Sequence, residues 1–180
     1  MRLALRPATR ADIPALHRLV EQAYRGAEAR KGWTHEADLL GGQRTDVEAL
    51  AEVIDDPSRV ILLAHQGDVL SGCVMLAKQD DGAAYLGMLS VQPGRQASGL
   101  GRELLAAAEA EAAARFGATR IEMTVIRQRP ELIAWYERRG YALTGATADF
   151  PLDDERFGLP RRRDLQFVVL AKALESSDAR

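Results

Sequence analysis

Gln96-Ala97-Ser98-Gly99-Leu100-Gly101 is the stretch on which the reading of this sequence turns. Before it, Ala84 to Val91 is an apolar run that stops at Pro93, as a sheet strand does. After it, Arg102 to Phe116 is rich in Ala, Leu and Glu and sets Leu100, Leu104, Ala108, Ala112 and Phe116 on one helical face. A glycine loop between a strand and a long helix has two uses. It can make a tight turn, or it can let an anion reach the first-turn N–H groups, which lack intrahelical partners and carry the positive end of the helix dipole. Arg95 and Arg102 add flanking positive charge. The loop has no third glycine for a dinucleotide fingerprint and no Gly-Lys-Ser/Thr ending for a P-loop. Its own residues leave the tight turn and the anion cradle both open.

Working outward, Val60 to Ala64 and Val69 to Ala77 flank the turn Gln66-Gly67-Asp68 and read as a hairpin, with Ala84 to Val91 as a third antiparallel strand after Asp80-Asp81-Gly82. Gly117 ends the long helix, and Thr119 to Ile126 alternates, with Ile121, Met123 and Val125 facing one way and Glu122 and Thr124 the other. Strand, helix and strand in that order predict a parallel pair. Pro130 opens a further helix closed by Gly140, Tyr141 to Thr144 begins another strand, and Leu165 to Ala171 is the last. On the N-terminal side, Leu3 to Arg6 is a short strand. Thr9 caps a helix with the stripe Ile13, Leu16, Val20 and Ala23, a short helix falls around His35 to Leu40, and Thr45 caps a helix carrying Val47, Leu50 and Ile54. The pattern predicts one α+β domain over residues 1–180, its sheet of six to seven strands mixed but mostly antiparallel, flanked by about four helices.

At 180 residues the chain is long enough to bury about 70% of the surface its unfolded form exposes. The net charge of −2, with both signs spread along the chain, argues against a nucleic-acid partner. No apolar run has membrane-spanning length and the N-terminus carries no signal-peptide pattern, so a cytoplasmic protein is expected. Cys73, the only cysteine, reads as core filler within a strand. The three histidines are scattered without metal-ligand spacing, so no metal site is expected.

The central stretch resembles a known motif. Gln96-Ala97-Ser98-Gly99-Leu100-Gly101 is similar to the Gln/Arg-X-X-Gly-X-Gly/Ala signature of the GNAT acetyltransferase superfamily, and Tyr136-Glu-Arg-Arg-Gly140-Tyr141 resembles its second hallmark, Tyr-X-X-X-Gly-Phe/Tyr. Leu86 to Val91 looks like the family's splayed central strand. The resemblance implies an acetyl-CoA-dependent N-acetyltransferase, with CoA pyrophosphate held by main-chain N–H groups of Gln96, Ala97, Ser98, Gly99, Leu100, Gly101 and Arg102. Its pantetheine arm would pair with the main chain of Leu89, Ser90 and Val91. The resemblance departs at Arg129, which stands where the family often has Asn.

By the same resemblance Tyr136 is the candidate acid for the leaving thiolate, and its residue type also suits a core aromatic. Glu122 is a candidate base, displaced from the position of Thr124 where some relatives carry a Glu, and it equally suits a surface ion pair with Arg120. Trp33, Thr34 and Phe150 are candidate acceptor-binding residues, with Trp33 equally suited to capping the core. Asp153-Asp154-Glu155 could draw in a cationic acceptor or be a solvated loop. The acceptor expected is a small-molecule primary amine or amino acid. A CoA-binding sensor without turnover and a protein N-terminal or lysine acetyltransferase are the alternatives, and whether the chain is a monomer or a homodimer is open.

Overall fold

The computed structural model describes residues 3–25, 38–95 and 98–175. Seven strands form the main sheet: β1 (Ala4–Pro7), β3 (Arg59–Gln66), β4 (Val69–Lys78), β5 (Ala83–Val91), β6 (Arg120–Ile126), β7 (Ala142–Asp149) and β9 (Gln166–Ala173). Their order is β1-β3-β4-β5-β6-β9-β7, and every pairing is antiparallel except β5 with β6. A two-residue ribbon, β2 (Leu40–Gly41) against β8 (Leu159–Pro160), stands apart. Helices α1 (Ile13–Tyr24) and α2 (Val47–Asp55) cover one face; α3 (Leu100–Phe116) and α4 (Pro130–Glu137) cover the other.

The helices form where apolar spacing and caps coincide. On α1 the buried stripe is Ile13, Leu16, Leu19, Val20 and Ala23, packed on Ile61, Leu63, Cys73 and Met88 of the sheet. On α3 Leu100, Leu104, Leu105, Ala108 and Ala112 are buried against β4, β5 and β6, with Phe116 partly buried beside them. The small alanines let this helix lie close to the sheet, and Gly117, at φ +62, ends it.

Several boundaries differ from the sequence-based expectation. The N-cap of α2 is Asp46, whose carboxylate accepts from the Ala49 N–H at 2.7 Å, because Thr45 turns its own N–H to Glu21. Val47 is exposed and only Leu50 of that helix is fully buried. Asp38 and Leu39 form a turn and Leu40 enters β2, so the short helix expected around His35 to Leu40 is absent from its described part; residues 35–37 lie outside the described residues. Strand β7 runs to Asp149, well past Thr144, with its register shifting between Leu143 and Thr147. As an edge strand exposed along its whole length, it has no buried face for alternation to reveal.

Gly72 sits where β4 and β5 approach most closely. A Cβ there would meet the Ser90 carbonyl oxygen at 2.9 Å and Leu104 Cδ2 at 3.2 Å. Gly72→Ala should therefore push β5 off its register with β4 and destabilise the fold by about 1–3 kcal/mol, measurable by urea denaturation. At the N-terminus, Asp12 accepts two hydrogen bonds from Arg6, at 2.8 and 2.7 Å, and one from the Thr9 N–H at 2.8 Å. The Arg6 guanidinium and the Thr9 donors hold its carboxyl well below the usual carboxylate range. Its contribution is complete above the unfolded value of about pH 4 and is lost as pH falls through the lower folded value. Asp12→Asn should cost about 1 kcal/mol at pH 7, and the gap to wild type should close as both are titrated well below about pH 4.

Candidate active site

The site begins where two parallel strands part. β5 and β6 pair only over Ala83–Tyr85 against Arg120–Glu122. Beyond that point β6 stays with β9 as far as Ile126, while β5 stays with β4. The divergence has a local cause: Met88 and Leu89 of β5 together oppose Val74 of β4, a bulge that bends the strand. Met88 takes φ +52, the one positive φ outside glycine among the described residues. Past the bulge, the Gln92 N–H donates to Ser71 O on β4 at 2.9 Å, so strand alternation turns the main-chain groups of Val91 toward the gap.

One cavity, about 570 Å³, lies between this freed edge, the start of α3, and α4. Leu89, Ser90, Val91, Ser98, Gly99, Gly101 and Arg102 line it, while the Leu100 side chain is buried in the core beneath. Gln96 and Ala97 lie outside the described residues. Gly99 is the N-cap of α3 at φ +83, and no side chain caps the helix, so the first-turn N–H groups face the cavity mouth without a side-chain acceptor. Arg102, Arg129, Arg138 and Arg139 line the cavity, and among the described residues no Asp or Glu does. Arg139 lies 3.8 Å over the Trp135 ring and donates to Trp135 O, and its buried Nε has no hydrogen-bond partner. Burial, then the charges of Arg138 and Arg102, lowers its pKa. A polyanion beside an uncapped helix start would relieve that crowding, and the unpaired edge of β5 accepts an amide-bearing chain, so these residues fit CoA.

A second cavity, about 340 Å³, opens on the other side of the gap. Tyr24, Leu89, Arg129, Leu132 and Tyr136 line both, so the two meet at those residues. Phe150 lies in its wall, its ring centroid 5.2 Å from that of Phe167. Tyr85 and Thr124 share a hydrogen bond there at 2.8 Å. Trp33 and Thr34 lie outside the described residues. Glu122 does not line either cavity: it sits where β5 and β6 are still paired, and its carboxylate accepts from Arg120 Nε at 3.0 Å. Asp153 is exposed and paired with Arg163 at 2.9 Å, away from the cavity wall.

Tyr136 stands at the junction, only 5% exposed, with its ring edge-on to Trp135 and Tyr141 at centroid distances of 5.0 and 5.7 Å. Its hydroxyl has no hydrogen-bond partner among the described residues. Burial pushes its pKa up, the neighbouring Tyr24 and Tyr85 act the same way, and Arg129 opposes them. The phenol is therefore protonated, and free to donate, across the physiological range. Cys73 is fully buried, and burial pushes its thiol up to about 12, which removes it as a nucleophile. No set of three His, Cys, Asp or Glu side chains able to hold a metal occurs among the described residues.

Tyr24, Arg44, Tyr85 and Arg129 are site residues that sequence reasoning did not place. Tyr24 ends the α1 stripe, where an amphipathic residue signals a polar tip at the edge of the core. Its hydroxyl donates to Leu89 O at 2.6 Å, directly beside the bulge. The departure at Arg129 was visible, but its consequence depends on which helix the chain brings opposite.

Residues 14–141 match the model of the acetyltransferase (GNAT) family. No curated protein matches the sequence. Among solved structures, the ribosomal-protein-S18-alanine N-acetyltransferase of Escherichia coli is similar with a TM-score of 0.70 and 16% identity, over 99% of each chain. A candidate acetyltransferase from Salmonella typhimurium, solved with its cofactor acetyl-CoA, is similar with a TM-score of 0.68 and 21% identity, over 100% of this chain and 98% of that one. A chimera of the Vibrio cholerae spermidine N-acetyltransferase and hSSAT is similar with a TM-score of 0.69 and 18% identity, over 96% of each. At such identities the likeness is one of fold, and the seven-stranded sheet with its parted central pair is that fold. With a family model matched across most of its length, the chain belongs to the GNAT family of acetyltransferases.

Proposed function

We propose that this chain is a cytoplasmic enzyme that transfers the acetyl group of acetyl-CoA to the primary amine of a small molecule or amino acid, by direct attack. The observation that carries this is the meeting of an anion-suited cavity and an aromatic one at Tyr136, across a strand edge left unpaired by the Met88 bulge. The N–H groups of Ser98 to Arg102, with Gln96 and Ala97, hold the pyrophosphate, and the main chain of Leu89, Ser90 and Val91 orients the pantetheine arm. When bound, acetyl-CoA supplies an acyl carbon activated by a good leaving group. An N–H at the bulge is suited to the negative charge that gathers on the thioester oxygen.

Tyr136 donates its hydroxyl hydrogen toward the departing sulfur. Because burial holds the phenol above the range of a thiol, hydrogen-bond donation costs less than complete proton transfer, and the thiolate takes its proton finally from solvent. No carboxylate lines the second cavity among the described residues, and Glu122 is committed to Arg120. The attacking amine therefore loses its proton through water, with the Tyr85 and Thr124 hydroxyls at hand to order it. Arg25 and Phe157 both line the second cavity, and the Arg25 guanidinium donates to the Phe157 carbonyl at 3.3 Å, a link across its wall that supports a small acceptor over an extended peptide.

Incubation with acetyl-CoA and a panel of amines, following CoA release, tests the reading: transfer to at least one small amine is expected, and silence across the panel with tight CoA binding would point to a sensor instead. Tyr136→Phe should lower kcat by about 100-fold while CoA affinity changes little, and unchanged turnover would remove it from the chemistry. With no enzymic carboxylate base, kcat/KM should climb about tenfold per pH unit up to the free acceptor's own ammonium pKa. A plateau already reached near pH 6 would reveal a base in the cavity.

A further inference from the structure

The second cavity has an unusual balance of charge. Arg25, Arg44 and Arg129 line it, and among the described residues no acidic one does. The Arg25 guanidinium is spent on carbonyls, those of Gln43 at 2.7 Å and Phe157 at 3.3 Å. Arg129, 4% exposed, lies 5.9 Å from the Tyr24 ring centroid and has Glu131 at 3.9 Å. Arg44 differs from both. Its backbone is pinned, because Glu21 Oε1 accepts from the N–H groups of Arg44 and Thr45 at 2.7 and 2.9 Å. Its guanidinium rests on the face of Tyr24, 5.0 Å from the ring centroid, and no carboxylate pairs with it among the described residues. A half-buried guanidinium held on an aromatic ring, beside a cavity whose described lining holds no acid, is a preorganised fork for an oxyanion. Apart from the hydroxyls of Tyr24, Tyr85, Thr124 and Tyr136, the rest of the wall is mostly apolar, including Met75, Met88, Met123, Phe150, Phe157 and Phe167.

Resting on the acetyltransferase reading above, we infer that the acceptor is a carboxylate-bearing amine with an apolar body, such as an apolar amino acid, and that Arg44 binds its carboxylate. The amine then points to the gap between β5 and β6, where Tyr136 and the Met88 bulge meet. The same cations disfavour a polyamine, whose second ammonium would find like charge and no carboxylate. They also favour the neutral form of the bound amine, which is the form that attacks.

The test uses the full chain loaded with CoA and needs no turnover. Binding of N-acetyl-L-phenylalanine and N-acetyl-L-methionine is compared with that of their carboxamides by calorimetry, beside initial rates with L-phenylalanine, L-methionine, phenethylamine, O-phosphoethanolamine and spermidine. The carboxylates should bind at least about tenfold tighter than the amides, as expected for a charge-assisted pair. Arg44→Gln should reduce that ratio to about one and Arg44→Lys restore part of it, with CoA affinity unchanged in both. Equal binding of acid and amide, a preference for the phosphate or the polyamine, no binding of either acetylated acid, or an undiminished ratio in Arg44→Gln would each overturn the inference. A protein that prefers the carboxylate but transfers nothing would keep the inference and lose the enzymatic reading. One that acetylates phenethylamine as well as phenylalanine would do the reverse.

Discussion

A parallel pair of strands that stops pairing after three residues is the constraint on which the rest of this structure depends. Main-chain N–H and C=O groups left inside a protein need partners, and a sheet interrupted at its centre exposes a row of them. The chain answers this in two ways. Tyr24 gives its hydroxyl to Leu89 O, and the edge beyond is left facing a cavity wide enough for a ligand with amides of its own. The bulge at Met88 fixes where the parting starts, and the close approach at Gly72 holds the bulged strand against β4 while it bends away from β6. A single local irregularity thus sets where the sheet opens and where the two cavities meet.

Electrostatics then divides the opening into halves with related tasks. Among the described residues both cavities are lined by arginines without acids, yet their walls differ. One is floored by a helix start and glycines, the other by methionines and phenylalanines. A cofactor of several negative charges suits the first, and a smaller anion with an apolar body suits the second. Among the described residues no carboxylate lines the second half, and one placed among Arg25, Arg44 and Arg129 would pair with them and be a poor proton acceptor. Tyr136, protonated and shared by the two halves, is the group able to act on both sides of the gap.

Much of the fold was legible in the sequence where the apolar period changes sharply. The glycine loop before an alanine-rich helix was readable because strand, turn and helix periods change within a few residues, and the Tyr136 to Tyr141 segment because an aromatic before a glycine stop packs inward. The bulge at Met88 lies within Leu86 to Val91, the strand that the resemblance marked as splayed. Less was legible where meaning comes from across the fold. Strand β7 hides because it buries nothing. Glu122 shares a strand face with Thr124, but the strands have not yet parted at its level, so Arg120 takes its carboxylate. Arg44 reads as an ordinary loop cation until Glu21 pins it over Tyr24. No local pattern encodes a contact between residues that far apart.

The central claim is that the gap between β5 and β6 receives the arm of CoA while the start of α3 receives its pyrophosphate. A crystal structure of the protein with CoA tests it most directly. The account predicts the diphosphate on the N–H groups around Ser98 to Arg102, with pantetheine amides hydrogen-bonded to the main chain of Leu89 and Val91 and the sulfur near Tyr136. CoA bound elsewhere, or a gap left empty at millimolar CoA, would contradict it.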